Sequence, residues 1–153
     1  MPADKKELKK KLLQYVTEMQ QQRAQISQQA MLQAQQSANE EKGTMGDKFE
    51  SFREQMQIDR DMYARQYEES SQILKTLQKI DPDKKSEAAS LGAIVFTDSK
   101  AFFVSASLGQ LTLDGESYVA VSSQSPMYLA MAGKKKGEKF VFRDISFLII
   151  DII

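Results

Sequence analysis

The sequence contains no cysteine, no histidine and no tryptophan. Without cysteine there is no disulfide framework, no cysteine nucleophile and no thiolate zinc site. Without histidine the chain lacks the commonest general base and the commonest transition-metal ligand. Any chemistry must therefore use carboxylates, lysines, hydroxyls or a hard metal ion.

Net charge and long apolar runs are also absent. The 153 residues include 21 basic and 21 acidic ones, so the overall charge does not indicate a protein that binds nucleic acid or a membrane surface. The longest apolar run, residues 127–132, is too short to span a bilayer. No apolar stretch follows the first residues, so we expect no secretory signal and a cytoplasmic protein.

Glycine and proline are missing from two long stretches, residues 5–39 and 47–80, which are separated by a segment containing Gly43 and Gly46. Because these two residues are the main breakers of regular structure, the pattern predicts helices over residues 6–41 and 47–80. A short connection makes the helices antiparallel. At about 1.5 Å per residue each helix is roughly 50 Å long. We call residues 1–82 the finger and residues 41–47 its tip.

The spacing of apolar residues predicts how the two helices pair. In the first helix a heptad seam runs through Leu8, Leu12, Tyr15, Met19 and Ile26, with Gln22 at the missing step. The second helix has a matching seam, denser at its far end, at Met56, Tyr63, Tyr67, Leu74, Leu77 and Ile80. The two seams predict a coiled-coil hairpin.

The second half of the chain has a different pattern. Asp81-Pro82 ends the second helix, and residues 83–90 form a linker. Strands are then predicted at 93–97, 101–105, 111–113, 117–121, 138–142 and 145–153, the last of them central because it is apolar on both faces. Ser125-Pro126 predicts the start of a short helix over residues 127–132, with Gly133 as its C-cap. The predicted fold is α+β, a helical hairpin followed by a small antiparallel sheet domain at residues 91–153.

Two motifs resemble a known family. The tip carries Gly46-Asp47-Lys48-Phe49-Glu50, and the second half carries Ser123-Gln124-Ser125-Pro126 followed by Gly133-Lys134-Lys135-Lys136-Gly137-Glu138. In these motifs, in length and in the order of its parts, the chain resembles the Gre-type bacterial transcript-cleavage factors. The second motif is the more specific, because several unlike residues recur at fixed spacing.

The resemblance implies an FKBP-like fold for the second half and bacterial RNA polymerase as the partner. The globular domain would dock at the rim of the polymerase secondary channel, and the finger would pass down it towards the 3′ end of the nascent RNA. It further implies that Asp47 and Glu50 act catalytically, as metal-positioning residues for an Mg²⁺ ion shared with the polymerase and not bound stably by this chain alone. The docking residues it implies are Ser125, Pro126, Lys134, Lys135 and Lys136. The chain would be a monomeric accessory factor, not itself an enzyme, that acts on no membrane.

Several alternatives remain open at the tip. Asp47 followed three residues later by Glu50 also fits a capping box, in which both carboxylates bind free N–H groups of the second helix. The family usually has Asn after the tip Glu and Tyr three residues after that Asn, where this chain has Ser51 and Glu54. The tip also carries two phenylalanines, Phe49 and Phe52. Because of these departures, a second function remains possible, that of a regulator that binds in the channel without stimulating cleavage.

Parts of the sequence also fit other functions. The coiled coil would suit a structural adaptor protein, and an FKBP-like fold would suit a prolyl isomerase, although no residue set for a proline pocket can be named. A lysine run on a turn is often only solvated. Met127, Leu129 and Met131 fit either a core or a docking surface.

Overall fold

The protein, seen in a computed structural model, is described for residues 5–40 and 47–153, with residues 40 and 47–49 described by their backbone only. Two long helices, α1 (Lys5–Glu40) and α2 (Asp47–Gln78), form a hairpin. A short helix, α3 (Pro126–Met131), follows the fourth of six strands, which are β1 (Ile94–Thr97), β2 (Ala101–Ser105), β3 (Gly109–Leu113), β4 (Glu116–Ser122), β5 (Lys139–Phe142) and β6 (Ile145–Ile152). The predicted α+β fold is confirmed, while the predicted reversal at residues 41–46 lies outside the described residues.

The hairpin helices have nearly the predicted bounds. They contain 36 and 32 residues, which corresponds to lengths of about 54 and 48 Å. Arg60 Nε donates a hydrogen bond of 3.3 Å to Gln35 Oε1, joining the second half of α1 to the first half of α2. Residues that face each other in an antiparallel pair have numbers with a constant sum, here about 95.

The predicted seam is right for α2 and only partly right for α1, where Leu8 and Leu12 are buried and Met19 is half-buried. Leu77 and Ile80 are buried, and Met56, Tyr63, Tyr67 and Leu74 are half-buried. On α1, however, Tyr15 is 37% exposed and Ile26 is 65% exposed. The residues of α1 that are buried beyond Leu12 lie on a neighbouring face and are mostly small: Val16, Gln20, Ala24, Ser27, Ala34 and Ala38.

The difference has a reason in packing volume. The cross-helix register places Ser27 level with Tyr67 to within one residue. A large side chain on one helix leaves room only for a small one opposite, because protein interiors pack to nearly constant density. A prediction that picks the most hydrophobic residues of each helix separately therefore places residues opposite each other that are too large to fit one interface.

The chain divides into two compact units. One is Met19–Leu74, and the other combines Met1–Glu18 with Lys75–Ile153. Within the second unit the first turns of α1 are bonded to the sheet and to the segment before it. Lys5 Nζ lies 2.6 Å from Asp151 Oδ2, Lys9 Nζ donates to the Lys84 carbonyl at 2.8 Å, and Lys11 Nζ lies 3.4 Å from Asp114 Oδ2.

The six strands form one sheet in the order β3-β4-β2-β1-β6-β5. β6 lies between β1 and β5, so its predicted central position is confirmed. All neighbours pair antiparallel except β2 and β4, which are parallel, whereas the sequence predicted an antiparallel sheet. The chain leaves β2, runs down the outer strand β3 and returns as β4 between them, which makes β2 and β4 point the same way.

The core of the sheet domain is aromatic. Phe140 and Phe147 stack with ring centroids 5.0 Å apart, and Phe102 meets Phe147 edge to face at 5.8 Å. Met131 of α3 is fully buried in the same cluster. One short helix and one face of the sheet thus form a continuous core, which holds the segments on either side of α3 in place.

Gln20 generates a prediction about the hairpin. Its side chain is 1% exposed, and its Oε1 has no hydrogen-bond partner among the described residues. A buried acceptor without a partner costs about 1–3 kcal/mol. We expect Gln20→Leu, which is similar in volume, to raise the free energy of unfolding in urea by about 1 kcal/mol.

The matched control is Gln21→Leu, at an exposed position one residue further along α1. It should change the free energy of unfolding by less than about 0.5 kcal/mol. If Gln20→Leu instead lowers stability, the Gln20 amide is hydrogen-bonded in the folded protein and the argument is wrong.

Candidate functional site

The start of α2 carries the predicted acidic pair. Asp47 is the first residue of α2 and Glu50 lies in the same first turn. Of the two carboxylates only that of Glu50 is described, and it is exposed. Acidic side chains in a first turn interact favourably with the positive end of the helix dipole. The first turn of α2 therefore suits acidic side chains, and the capping and metal-binding interpretations both stay predictions.

The described residues limit what kind of metal site the chain can contribute to. They include no group of three or more acidic side chains placed to hold one ion. Mg²⁺ is commonly bound through one or two protein carboxylates, with water and phosphate oxygens completing the shell. Glu50 and Asp47 thus fit Mg²⁺ by the chemistry of their oxygens, provided that further ligands come from another molecule.

Several large apolar residues of the unit Met19–Leu74 are exposed. Phe52, in the second turn of α2, is 40% exposed. Ile26 and Leu32 on α1, and Ile58 and Met62 on α2, are also exposed. Each of them is an apolar residue that lies outside the buried face of its helix.

Ser125 begins α3 as predicted. Its hydroxyl accepts a hydrogen bond from the Tyr128 N–H at 3.2 Å and donates one to the Ser122 carbonyl at 2.8 Å. Pro126 is the first residue of the helix and is exposed. Serine at the cap satisfies one of the free N–H groups of the first turn, and proline there loses nothing because its position has no helical N–H bond to make.

The loop after α3 contains the rest of the second motif. Gly133 and Gly137 have φ values of +75° and +90°, a region that residues with a side chain rarely adopt. The C-cap is Ala132, so Gly133 is not itself the predicted cap but the residue after it. Gly133 N donates to the Ala89 carbonyl at 2.9 Å, and Gly137 N donates to the Ile149 carbonyl at 2.8 Å.

The remaining motif residues also have structural partners. The Lys134 carbonyl accepts from Ala89 N at 2.8 Å, and the Glu138 carboxylate accepts from Lys135 N at 3.0 Å. Each bond ties the loop to itself or to the segment before β1. The spacing of the second motif is thus required by the geometry of this loop, independently of any partner.

The exposed side chains of this region define what we call the α3 surface: Pro126, Leu129, Lys135 and Lys136. Leu129 is 64% exposed, whereas Met131 is buried and Met127 is half-buried against the core. The structure thereby separates the three residues that sequence reasoning left as core or docking surface. Of the predicted docking residues, Ser125 and Lys134 are half-buried, and Pro126, Lys135 and Lys136 are exposed.

The charge of Lys136 also acts on Asp151. Burial would raise the pKa of the Asp151 carboxyl, but a hydrogen bond from Lys5, the Ile152 N–H and the charges of Lys5 and Lys136 outweigh it and lower that pKa. Asp151 therefore stays ionised at neutral pH. Its negative charge partly neutralises the lysines near it.

Comparison with known proteins gives a structural likeness. No family model matches the chain, and no curated protein matches its sequence. The crystal structure of the GreA factor homolog 1 (Gfh1) protein of Thermus thermophilus is 14% identical over 94% of this chain and 93% of that one, with a TM-score of 0.34. A likeness this weak carries no argument about function. Among the described residues, no helix is long and apolar enough to cross a membrane.

The cap of α3 can be tested directly. We expect Ser125→Ala to lower the free energy of unfolding in urea by about 1 kcal/mol, because the Tyr128 N–H loses its acceptor. Ser123→Ala is the matched control, two residues earlier and outside the cap, and should have a much smaller effect. Equal effects of the two substitutions would show that Ser125 does not cap the helix.

Proposed function

We propose that this chain is an accessory factor of bacterial RNA polymerase, similar in action to the Gre-type factors. Its finger enters the secondary channel, and Asp47 and Glu50 help to hold an Mg²⁺ ion shared with the polymerase. The result is stimulated cleavage of backtracked RNA near its 3′ end. The hydrolytic activity belongs to the polymerase, and this chain contributes ligands and position.

The observation that carries the proposal is the placement of the acidic pair. Both residues lie in the first turn of α2, at the end of two helices about 50 Å long. A helical hairpin of this length gives the acids access to a site that is narrow and distant from the surface. The exposed Glu50 carboxylate is free to face such a site.

The chemistry required of the chain is small. When bound, an Mg²⁺ ion in a two-metal site activates water for in-line attack on a phosphodiester. The acids need only supply one or two oxygens with a fixed orientation, and the regular backbone of α2 fixes the spacing between them. Histidine and cysteine, which this chain lacks, are not needed for a site of oxygen ligands.

The α3 surface is the proposed docking surface. Lys135 and Lys136 present positive charge from a loop whose backbone is held by hydrogen bonds to Ala89 and Ile149. Leu129 and Pro126 add apolar area. A rigid loop with exposed charge and an apolar neighbour is suited to a protein partner, because little conformational entropy is lost on binding.

A second candidate is a regulator that occupies the same channel without stimulating cleavage. It is favoured by Ser51 and Glu54, which replace the residues usual in the family, and by the exposed Phe52 ring. An aromatic ring in the second turn of α2 suits packing against a channel wall better than ordering water around an ion.

Binding is tested with core polymerase and the full-length chain. We expect Lys135→Gln/Lys136→Gln to weaken binding by about 3- to 10-fold at low salt, with the difference fading as salt rises, because the lost contacts are between exposed charges. Lys100→Gln/Lys139→Gln removes equal charge from other positions of the sheet domain and should bind as the wild type does. If the wild type does not bind core polymerase, the proposed function is wrong.

Cleavage is tested on a stalled, backtracked elongation complex across an Mg²⁺ titration. We expect Asp47→Asn/Glu50→Gln to bind polymerase normally but to lose stimulation by at least the 10- to 100-fold that is roughly typical of disturbed metal ligation. The control Glu68→Gln/Glu69→Gln removes two acids further along α2. If Asp47→Asn/Glu50→Gln still stimulates cleavage, the two acids have a capping role only. If the wild type binds polymerase but does not stimulate cleavage, the non-cleaving regulator is favoured.

A further inference from the structure

A cavity rich in lysine lies in the unit formed by Met1–Glu18 and Lys75–Ile153. Its volume is about 200 Å³. Its lining consists of five lysines, one carboxylate and two apolar residues: Lys5, Lys6, Lys9, Lys84, Lys85, Asp83, Pro82 and Ile153. The whole chain has equal numbers of acidic and basic residues, so this concentration of positive charge is local.

Two nearby carboxylates already form ion pairs. Asp83 Oδ1 lies 3.1 Å from the Lys10 ammonium, and Asp151 lies 2.6 Å from that of Lys5. Among the described residues, Lys9, Lys84 and Lys85 form no ion pair. Within the described residues, these three lysines thus have no carboxylate in direct contact, and the charge of Asp81 acts on Lys9 from a longer distance.

Lys9 distinguishes this cavity from a solvated run of surface lysines. Its residue is only 3% exposed, and its Nζ donates to the Lys84 carbonyl at 2.8 Å and to Ser86 Oγ at 3.3 Å. An ammonium group has three donors, so one remains for a ligand. Burial lowers the Lys9 pKa, the charge of Asp81 raises it and that of Lys84 lowers it further, so a bound anion would favour the charged form.

We propose that this cavity binds a small phosphate-type oxyanion, of one or two phosphoryl groups. The Lys9 ammonium would donate from the buried side, and Lys84 and Lys85 from the exposed side. The volume equals that of roughly six or seven water molecules at about 30 Å³ each. It is smaller than the roughly 300–1,000 Å³ of pockets for drug-sized ligands, which favours phosphate or pyrophosphate over a nucleotide base and sugar.

The apolar walls support the proposal. Pro82 and Ile153 line the cavity without competing for the anion's oxygens. They also reduce the water around the charges, which strengthens the attraction between ammonium groups and an anion. None of the cavity residues belongs to the tip or to the α3 surface. Anion binding in the cavity therefore does not depend on the proposed polymerase function.

The test is calorimetric titration of the full-length chain with inorganic pyrophosphate and with phosphate, at constant ionic strength maintained with sodium chloride. We expect saturable binding of one anion per chain. Lys84→Gln/Lys85→Gln, at two exposed positions, should weaken it by about tenfold or more, whereas Lys100→Gln/Lys139→Gln should not. Thermal unfolding in the same buffers should show a rise in Tm with pyrophosphate that the first variant loses.

Three results would overturn the proposal. The first is no saturable heat up to about 10 mM anion. The second is an equal loss of affinity in the two lysine variants, which would mean a general charge effect. The third is a glutamate-rich peptide that binds more tightly than pyrophosphate and depends on Lys84 and Lys85, because the cavity would then belong to a docking surface for an acidic protein.

Discussion

The packing of two long helices on small residues is the constraint on which the hairpin depends. Ala24, Ser27, Ala34 and Ala38 are the buried residues of α1 in the hairpin unit, together with Gln20. A helix pair buries little surface by itself, so close approach and interlocking volume matter more than the hydrophobicity of single residues. Ser27 is buried, so a larger residue there would need space that the packed helices do not provide. The outer face of α1 is polar and rich in glutamine. This is compatible with the buried seam, because the stability of the helix pair comes from the buried face.

A second constraint joins the end of α2 to the sheet domain. Gly92 has a φ of +88°, and a Cβ at this position would lie 2.8 Å from Cγ2 of Ile80. Ile80 is buried two residues beyond α2, and Gly92 N donates to the Val104 carbonyl at 2.8 Å. The absence of a side chain therefore allows the chain after α2 and strand β2 to approach closely. Lys9 adds to this by bonding the carbonyl of Lys84 in the intervening segment.

The sequence predicted those features that depend on local chemistry. The missing glycines and prolines located both long helices to within about two residues. The Ser125 cap followed from residue type alone. Part of the α1 seam and the parallel β2–β4 pair were missed, because both depend on residues far apart in sequence. To predict the buried face of α1, one must know the side-chain volumes on α2. To predict the direction of β4, one must know the path of β3. The local sequence pattern contains neither kind of information. The basic cavity was missed for the same reason, since residues 5–9 and 82–85 meet only in the fold.

The two family-like motifs do not carry equal weight for function. In the second motif Ser125, Gly133, Gly137 and Glu138 each have a role in the backbone geometry of α3 and its loop. These roles explain the four residues by local structure, so the motif, although more specific, indicates a shared local structure. The Glu50 carboxylate at the start of α2 is instead exposed, so packing constrains its residue type less. The proposed polymerase function therefore depends on Asp47, on the exposed Glu50 carboxylate and on the exposed Lys135 and Lys136, and substitutions at the three exposed positions are expected to leave the fold intact.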